Sequence, residues 1–452
     1  MEPNRTPGEN SSHNNTVTIT KTANYIGDYD IVVCGAGPAG WTAAAAAARA
    51  GAKTAIIDRY GFFGGTASGG LVIPISGFFK HGKRLIGGIP WEFIQALERI
   101  NGAIVEYPRG HVSVDTEYYK LIAQRFVLDA GVDIYMNSYI IGADTGAGNR
   151  IETVYFQNKN GTEAIGGKYF IDATGDGDLC ALAGIPTVTN DTPQPLSFCF
   201  ELIGVDASTP LLCNSIHHDG KHGASVNTVI REYLNEKYAK DEAPEFGGPW
   251  FNTLVAGDRL AVNVTRNPAS VLDNRAYSLA ECRMREEMYK ITELLREKFP
   301  EFKNAVISST AVNAGVRESR RLVGAYTLTG EDTLSTKYFY DSVARTSHPI
   351  DIHVGGGSKQ TLISLDRAGY IPYRTMYSEK CDNLLVAGRL ISTDTTALAT
   401  ARVQATCMAT GEAAGLAAAY CNEAGVGVAN VDIERLRRTL IDGGSQITEE
   451  KD

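Results

Sequence analysis

The residues best placed to do chemistry in this chain are glycines. Gly35-Ala-Gly37-Pro38-Ala39-Gly40 follows a short apolar run, Asp30–Cys34, and precedes an alanine-rich stretch. In a strand–turn–helix unit, Gly35 permits the tight turn, Gly37 lets a pyrophosphate approach the backbone, and Gly40 lets the helix pack close to the sheet. Pro38 suits a helix start, where its missing N–H costs nothing, and Gly51 falls where that helix would close. The helix N-terminus offers N–H groups and a positive dipole end to phosphate oxygens. Asp58 follows Gly40 by 18 positions, close to the spacing at which an acid accepts from a ribose hydroxyl. Strand, turn, helix and acid occur in order, which favours a dinucleotide site over a plain βαβ turn.

The elements that must hold these residues can be read further along the chain. Tyr60–Gly77 is glycine-rich, with Gly64, Gly65, Gly69 and Gly70 implying a backbone that passes close to something flat or to another segment. Residues 89–101 and 116–130 carry helical periodicity. Val132–Tyr135, Ile151–Gln157 and Lys168–Ile171 are strand-like, with Asn160-Gly161 a hairpin turn. Asp172-Ala-Thr-Gly-Asp-Gly-Asp178 follows a strand directly. Residues 191–309 are more aromatic and polar, richer in proline, and include a long helix over about 275–298. Glycine- and alanine-rich sequence returns over 310–425, with a strand at Asn383–Ala387 and a small-residue helix from about Val403. The expectation is a discontinuous first domain, 28–190 and 310–440, with residues 191–309 inserted as a substrate or cap lobe.

With 452 residues, 43% of them hydrophobic, the chain is long enough for more than one lobe. Its 43 basic and 52 acidic residues give a net charge of -9 without a basic run, so no nucleic-acid partner is expected. Eight scattered cysteines with no CxxC pair argue against a disulfide framework, a zinc ribbon or a dithiol centre. Residues 1–27 are polar with no apolar h-region and read as a mobile tail, not a signal peptide. Ala43–Ala48 is far short of a membrane span. The default expectation is a soluble cytoplasmic protein.

Three separated pieces then point one way: Gly35-x-Gly37-x-x-Gly40 with Asp58; Ala173-Thr-Gly-Asp-Gly-Asp178; and Asn383-Leu-Leu-Val-Ala-Gly-Arg389 leading to Arg402-Val-Gln-Ala-Thr-Cys-Met-Ala-Thr-Gly-Glu-Ala-Ala-Gly415. Together they resemble the FAD-dependent oxidoreductases of the glutathione-reductase-like superfamily. More narrowly, they resemble the bacterial FAD-dependent oxidoreductase family distantly related to fumarate reductase flavoproteins and thiazole synthases. Gly315-Val-Arg-Glu-Ser-Arg-Arg321 and Pro349-Ile-Asp-Ile-His353 match that narrower family. The resemblance spans nearly all of 28–440 and is weakest over 200–300.

It implies an α/β fold with a Rossmann-like FAD-binding domain of the GR2 type and an inserted α+β lobe. It also implies that Gly35, Gly37, Pro38, Ala39 and Gly40 hold the FAD pyrophosphate, that Asp58 takes the adenosine ribose, and that Arg59 flanks the adenine. Gly64, Gly65 and Thr66 would follow the ribityl chain and flavin, while Thr174, Gly175 and Asp176 would form a second turn against the cofactor. Gly388 and Arg389 would lie at the ribityl or pyrophosphate. The helix beginning near Val403 would aim its N-terminus at the flavin N1–C2=O2 edge, where a dipole stabilises the charge left by hydride at N5; tight packing of small residues is the other reading of that helix. There is no second GxGxxG unit for a nicotinamide domain. No His-Thr pair near residue 66 suggests covalent attachment, so non-covalent FAD is expected.

For the reaction itself, Arg317, Glu318, Arg320, Arg321, His348 and His353 stand out. An arginine over a flavin can bind a carboxylate bidentately or clamp an oxyanion. Arg317 and Arg321 share a face if helical, and Arg317, Ser319 and Arg321 share a side if extended. The alternative is a structural network joining lobe to FAD domain. His353 is the acid/base candidate, with Asp351 to fix its tautomer, against a plain backbone-bonded loop histidine. His217, His218 and His222 read as a solvated loop, and no metal is expected. Three functions follow: hydride transfer between flavin N5 and a small organic substrate, as a dehydrogenase or oxidase of CH–OH or CH–NH groups; a fumarate-reductase-like reductase of an activated C=C bond, with Arg320 as acid; or an FAD-binding electron-transfer subunit needing a partner. A small-molecule substrate, an external electron donor or acceptor, and a homo-oligomer are the partners considered.

Overall fold

The computed structural model describes residues 19–107, 110–146, 148–212, 227–253, 259–353 and 360–450. His217, His218 and His222 lie outside the described residues. Within them, the apolar run before the glycine turn is the end of strand β1 (Asn24–Cys34), whose Ile31–Cys34 are fully buried. A continuous apolar run of this kind is what a strand covered on both faces requires. The chain then forms helix α1 (Pro38–Arg49) and strands β2 (Thr54–Ile57), β3 (Asp133–Tyr135), β4 (Tyr139–Thr145), β5 (Ile151–Asn158), β6 (Gly161–Asp172) and β7 (Leu384–Val386).

These strands make one sheet in the order β3-β2-β1-β6, with β7 paired to the end of β6. All of those pairings are parallel, with Ile31 opposite Thr54 on one side and Tyr169 on the other. The first half of β6 turns at Asn158–Gly161 into the antiparallel meander β4–β5–β6. The strand order therefore reverses between β1 and β6, which places a crevice at Cys34 and Asp172, at their carboxyl ends. Pairing of β1 with β6 runs back to Asn24 opposite Glu163. Residues 24–27, expected as part of a mobile tail, are thus strand, because β6 supplies a partner that local composition does not reveal.

Helix α1 lies against a second helix, α3 (Gln404–Ala424), and both are buried along nearly their whole length. Their approach depends on glycine. A Cβ on Gly411 would lie 2.1 Å from the Ala39 carbonyl oxygen, and one on Gly415 2.2 Å from that of Ala43. The small-residue run of α3 is therefore a packing device that brings its backbone onto α1, and it fixes where the N-terminus of α3 points.

Glu412, on the same helix, accepts from the Ile89 N–H at 2.9 Å, and burial pushes its carboxyl up from 4.5 to about 7. The folded state therefore binds the proton more tightly than the unfolded chain. That stabilisation is complete below about pH 4.5 and is lost as pH rises to about 7, a loss of roughly 3 kcal/mol. Glu412→Gln keeps the acceptor and removes the titration. Urea unfolding at about pH 5 and about pH 8 is expected to show a smaller pH difference in this variant than in the wild type.

A second hydrophobic cluster is built from Leu196 to Val316 together with Leu71. Its sheet is antiparallel, in the order Phe246–Thr253, Arg259–Thr265, Phe200–Ile203, Val306–Thr310. Helix α2 (Asn274–Lys298) contributes Ala280, Met284, Met288, Ile291 and Leu295, a stripe at helical spacing, and its first turn is capped by Asp273, which accepts from the Ala276 N–H at 3.0 Å. Isolated antiparallel bridges join Ser197 to Gly315 and Leu196 to Asn267. No helix among the described residues is long and apolar enough to cross a membrane.

Candidate active site

The crevice between β1 and β6 is shaped by its glycines in three different ways. Gly35 has φ +98°, and a Cβ there would meet the Ala173 carbonyl oxygen at 2.4 Å. At Gly40 a Cβ would fall 1.7 Å from the Gly35 oxygen, so the turn closes on itself only without a side chain. Gly37 differs: its φ is −65°, and a Cβ there would meet nothing within 4 Å. The space over Gly37 is open at the N-terminus of α1, where Pro38 takes the first position, no side chain caps the helix and no acid sits in the first turn. That is a cradle for a phosphate, since N–H groups and dipole are left for an anion.

Around this cradle, Gly64 donates its N–H to the Ala36 oxygen at 2.9 Å, and a Cβ on Gly65 would lie 2.9 Å from the Gly37 Cα. The Gly64–Thr66 turn thus crosses the phosphate loop directly. Asp58, buried at the end of β2, accepts from the Ala36 N–H and, at 2.7 Å, from the Tyr60 N–H. Burial raises its pKa against those two bonds. Arg59 lies over the Tyr60 ring, 4.8 Å from its centroid. A narrow recess here is lined by Gly35, Asp58, Arg59, Tyr139, Thr174 and Asp178.

On the β6 side, Asp172 organises the turn. It accepts from the Thr174 N–H and Oγ1 at 3.0 and 2.7 Å and from the Cys180 N–H at 2.9 Å. Thr174 Oγ1 in turn accepts from the Asp178 N–H at 3.0 Å. Gly175 and Gly177 have positive φ, and a Cβ on Gly175 would press on the Arg389 guanidinium at 3.1 Å. Asp176 is buried and accepts from Arg389 Nη2 at 2.6 Å and from Ser319 Oγ at 2.6 Å. Gly388, with φ +85°, brings the end of β7 to 3.1 Å from the Ala39 methyl for an added Cβ. Asp176 and Arg389 therefore join the turn after β6 to the end of β7.

The Arg317–Arg321 run is not helical. It is extended and irregular up to a two-residue strand, Arg321–Leu322, and its arginines diverge. Arg320 donates to the Asp176 oxygen and to Asp178 Oδ1, both at 3.2 Å, and Arg321 pairs with the buried Glu318. Arg317 instead enters the lobe interface, where it donates to the Pro195 oxygen and Ser197 Oγ, each at 2.7 Å. Arg266, directly after the Arg259–Thr265 strand, shares Ser197 Oγ and lies 3.5 Å from His353 Nδ1.

His353 and Asp351 share one side of the Ile350–His353 strand, and His353 Nε2 is 2.9 Å from Asp351 Oδ2. Burial alone would raise the Asp351 pKa; the bond from His353 and the charge of Arg402 overcome it and hold the carboxyl well below its usual range. An ionised carboxylate can only accept, so Nε2 carries the proton and Nδ1 the lone pair. Burial, with the charges of Arg317 and Arg266, pushes the His353 pKa down to about 2. The imidazole is neutral at ordinary pH. Tyr370 and Tyr373 pack away from this region, with their hydroxyls donating to the Thr448 and Val428 oxygens.

Val403 is the N-cap of α3 and makes no side-chain cap. Beside it are three buried polar atoms with no partner: Arg402 Nε, Gln404 Oε1 and Gln194 Nε2. Gln194 Oε1 accepts from the His353 N–H at 3.2 Å and from Arg402 Nη2 at 3.4 Å, which orients its amide. Unpaired buried donors and acceptors at an uncapped helix start are expensive in isolation. They fit a flat polar ring edge, so these residues suit the polar end of a flavin as the Gly37 cradle suits its pyrophosphate.

A family model described as FAD dependent oxidoreductase matches residues 30–440. The chain belongs to that family. It is an FAD-dependent oxidoreductase with an α/β, Rossmann-like FAD-binding core. No curated protein matches it. Solved structures align along most of its length at low identity. A geranylgeranyl bacteriochlorophyll reductase-like protein from Thermoplasma acidophilum is 14% identical with a TM-score of 0.46, over 93% of this chain and 92% of that one. The p-nitrophenol 4-monooxygenase PnpA from Pseudomonas putida DLL-E4 is 11% identical with a TM-score of 0.47, over 94% and 90%. A flavoprotein/dehydrogenase from Cytophaga hutchinsonii is 13% identical with a TM-score of 0.45, over 94% and 89%. At these scores the likenesses carry no activity to this chain.

Sequence reasoning did not pick out Arg266, Gln194 or Ser197, and quoted Arg402 and Asp172 only within longer motifs. The one local signal was Asp172 itself, an acid ending an apolar strand directly before a glycine turn.

Proposed function

We propose that this FAD-dependent oxidoreductase transfers a hydride between flavin N5 and a small organic substrate, oxidising a CH–OH or CH–NH carbon. Non-covalent FAD supplies the hydride acceptor. Gly35, Gly37, Pro38, Ala39 and Gly40, with Gly64, Gly65 and Thr66 above them, hold the pyrophosphate and ribityl chain. Asp58 and Arg59 take the adenosine end, and Thr174, Gly175, Asp176, Gly388 and Arg389 close the opposite wall. The uncapped start of α3 at Val403 would face the flavin's N1–C2=O2 edge, where its dipole would favour negative charge.

The observation that carries this reading is the group of unpartnered polar atoms of Arg402, Gln404 and Gln194 gathered at the uncapped start of α3 and bonded onward to His353. His353 Nδ1 takes the substrate proton once its long, 3.5 Å contact with Arg266 Nη2 opens, and Asp351 fixes the tautomer. Burial and the surrounding guanidiniums keep the imidazole in its base form, and its basicity rises when a bound anion offsets the guanidinium charge. Arg320 is held by Asp176 and Asp178, away from His353, which favours this reading over a C=C reductase using Arg320 as its acid.

The test is anaerobic reduction of the FAD-loaded protein by a panel of 2-hydroxy acids, amino acids, simple alcohols and amines. Bleaching of the yellow chromophore by one class is the expected result, slowed at least about tenfold in His353→Ala. A flavin that none of them bleaches, but that an unsaturated acid reoxidises after chemical reduction, would instead support the C=C reductase.

A further inference from the structure

The charge in the interior beside the flavin site is unbalanced. Arg266 and Arg317 are 3% and 9% exposed, and Arg402 is largely buried with them. Among the described residues, the hydrogen bonds of Arg266 go to Ser197 Oγ, Asn263 Oδ1, the Thr265 oxygen and His353 Nδ1, and those of Arg317 to the Pro195 oxygen and Ser197 Oγ. Every one of those acceptors is neutral. Arg402 has Asp351 as its near carboxylate, but only at 4.0 Å, and Asp351 is already bound by His353 and Gln360. Glu318 is committed to Arg321 and Asn190, and half-buried Glu245 is the more distant acid acting on Arg266.

Desolvation lowers the pKa of all three guanidiniums, and each is further opposed by a like charge. Buried charge persists when something compensates it. Two adjacent buried guanidiniums whose acceptors are neutral are complementary to a planar anion that accepts on two oxygens.

We propose that Arg266 and Arg317 bind the carboxylate of the substrate, so that this oxidoreductase acts on a small organic acid. The proposal rests on the hydride-transfer reading, because that reading places the cluster beside the reacting carbon. In that reading Arg402 and Gln194 serve the flavin's polar edge, which leaves Arg266 and Arg317 for the substrate. If the cluster served the flavin, free carboxylates would compete with FAD and bind only without it.

The experiment titrates the FAD-loaded protein with sodium benzoate and sodium acetate, against benzamide and acetamide, and reads the flavin difference spectrum and the Tm. Saturable spectral change and a raised Tm with the carboxylates but not the amides are expected. Arg317→Met is expected to keep full FAD occupancy, to bind the carboxylates at least about tenfold more weakly, and to melt no lower than wild type without ligand, because an uncompensated buried charge has gone. A structural guanidinium would give the opposite: a lower Tm with carboxylate binding intact. That result overturns the proposal, as does indifference of the FAD-loaded wild type to every carboxylate, or loss of FAD on adding them. A protein that takes up FAD but is bleached by no compound removes the hydride reading alone, and carboxylate binding then still stands or falls on the titration.

Discussion

Gly37→Ala and Gly40→Ala, two alanines three residues apart, are expected to fail in opposite ways. The Gly37 backbone has dihedrals any residue adopts, and its Cβ direction is empty, so the variant folds with a Tm near that of the wild type. The added methyl would fill the open space proposed for the pyrophosphate at the α1 N-terminus, so FAD binding is expected to weaken by at least about tenfold, or ~1.4 kcal/mol. At Gly40 the same methyl lies 1.7 Å from the Gly35 oxygen, a contact no rotamer can relieve. There the turn itself must open, and a loss of several kcal/mol of stability, about 3 or more, is expected with poor soluble yield. Thermal melts of the flavin-free proteins and FAD titrations separate the two effects. A Gly37→Ala protein with full FAD affinity would remove the phosphate cradle from α1.

Arg389→Met is expected to cost about 3–5 kcal/mol, because it leaves the Asp176 carboxylate buried with Ser319 as its remaining side-chain donor. Burial alone would raise the Asp176 pKa; Arg389 and Ser319 overcome it and hold the carboxyl below its usual range. In the wild type this pair therefore stabilises the fold above the unfolded carboxylate pKa of about 3.8, and the contribution is lost as pH falls through the lower folded value. Without Arg389 the sign reverses, since burial then favours the protonated acid, and the variant recovers stability relative to wild type as pH is lowered. Asp176→Asn in the Arg389→Met background should restore part of the loss at neutral pH. Denaturant unfolding of the two single variants and the double variant measures the coupling. Additive losses would show that the ion pair contributes nothing specific.

The parts of this molecule legible in the sequence are those whose chemistry is local. The turn at Gly35–Gly40 needs its glycines because neighbouring backbone, Gly35 on Gly40 and Ala173 on Gly35, comes too close for a side chain, and such needs are written at fixed spacing. The Ala173–Asp178 turn, the strand ending near Arg389 and the helix from Val403 are legible for the same reason. The cluster around His353 is not. It joins Gln194 and Arg266 from the lobe to Arg317, Asp351 and Arg402, and strand and segment pairings far apart in the chain set those contacts. The Arg317–Arg321 run shows the limit most clearly. Its residues look like one unit in the sequence, yet the extended backbone sends Arg317 to Ser197, Arg320 to Asp178 and Arg321 to Glu318.

Acid precipitation of the purified protein, followed by flavin analysis of pellet and supernatant, tests the cofactor site most directly. One FAD per chain, all of it released into the supernatant, is the expected result, with occupancy reduced in Gly37→Ala. A chain that takes up no FAD, or one that retains flavin in the precipitate, would contradict a non-covalent FAD held between β1 and β6.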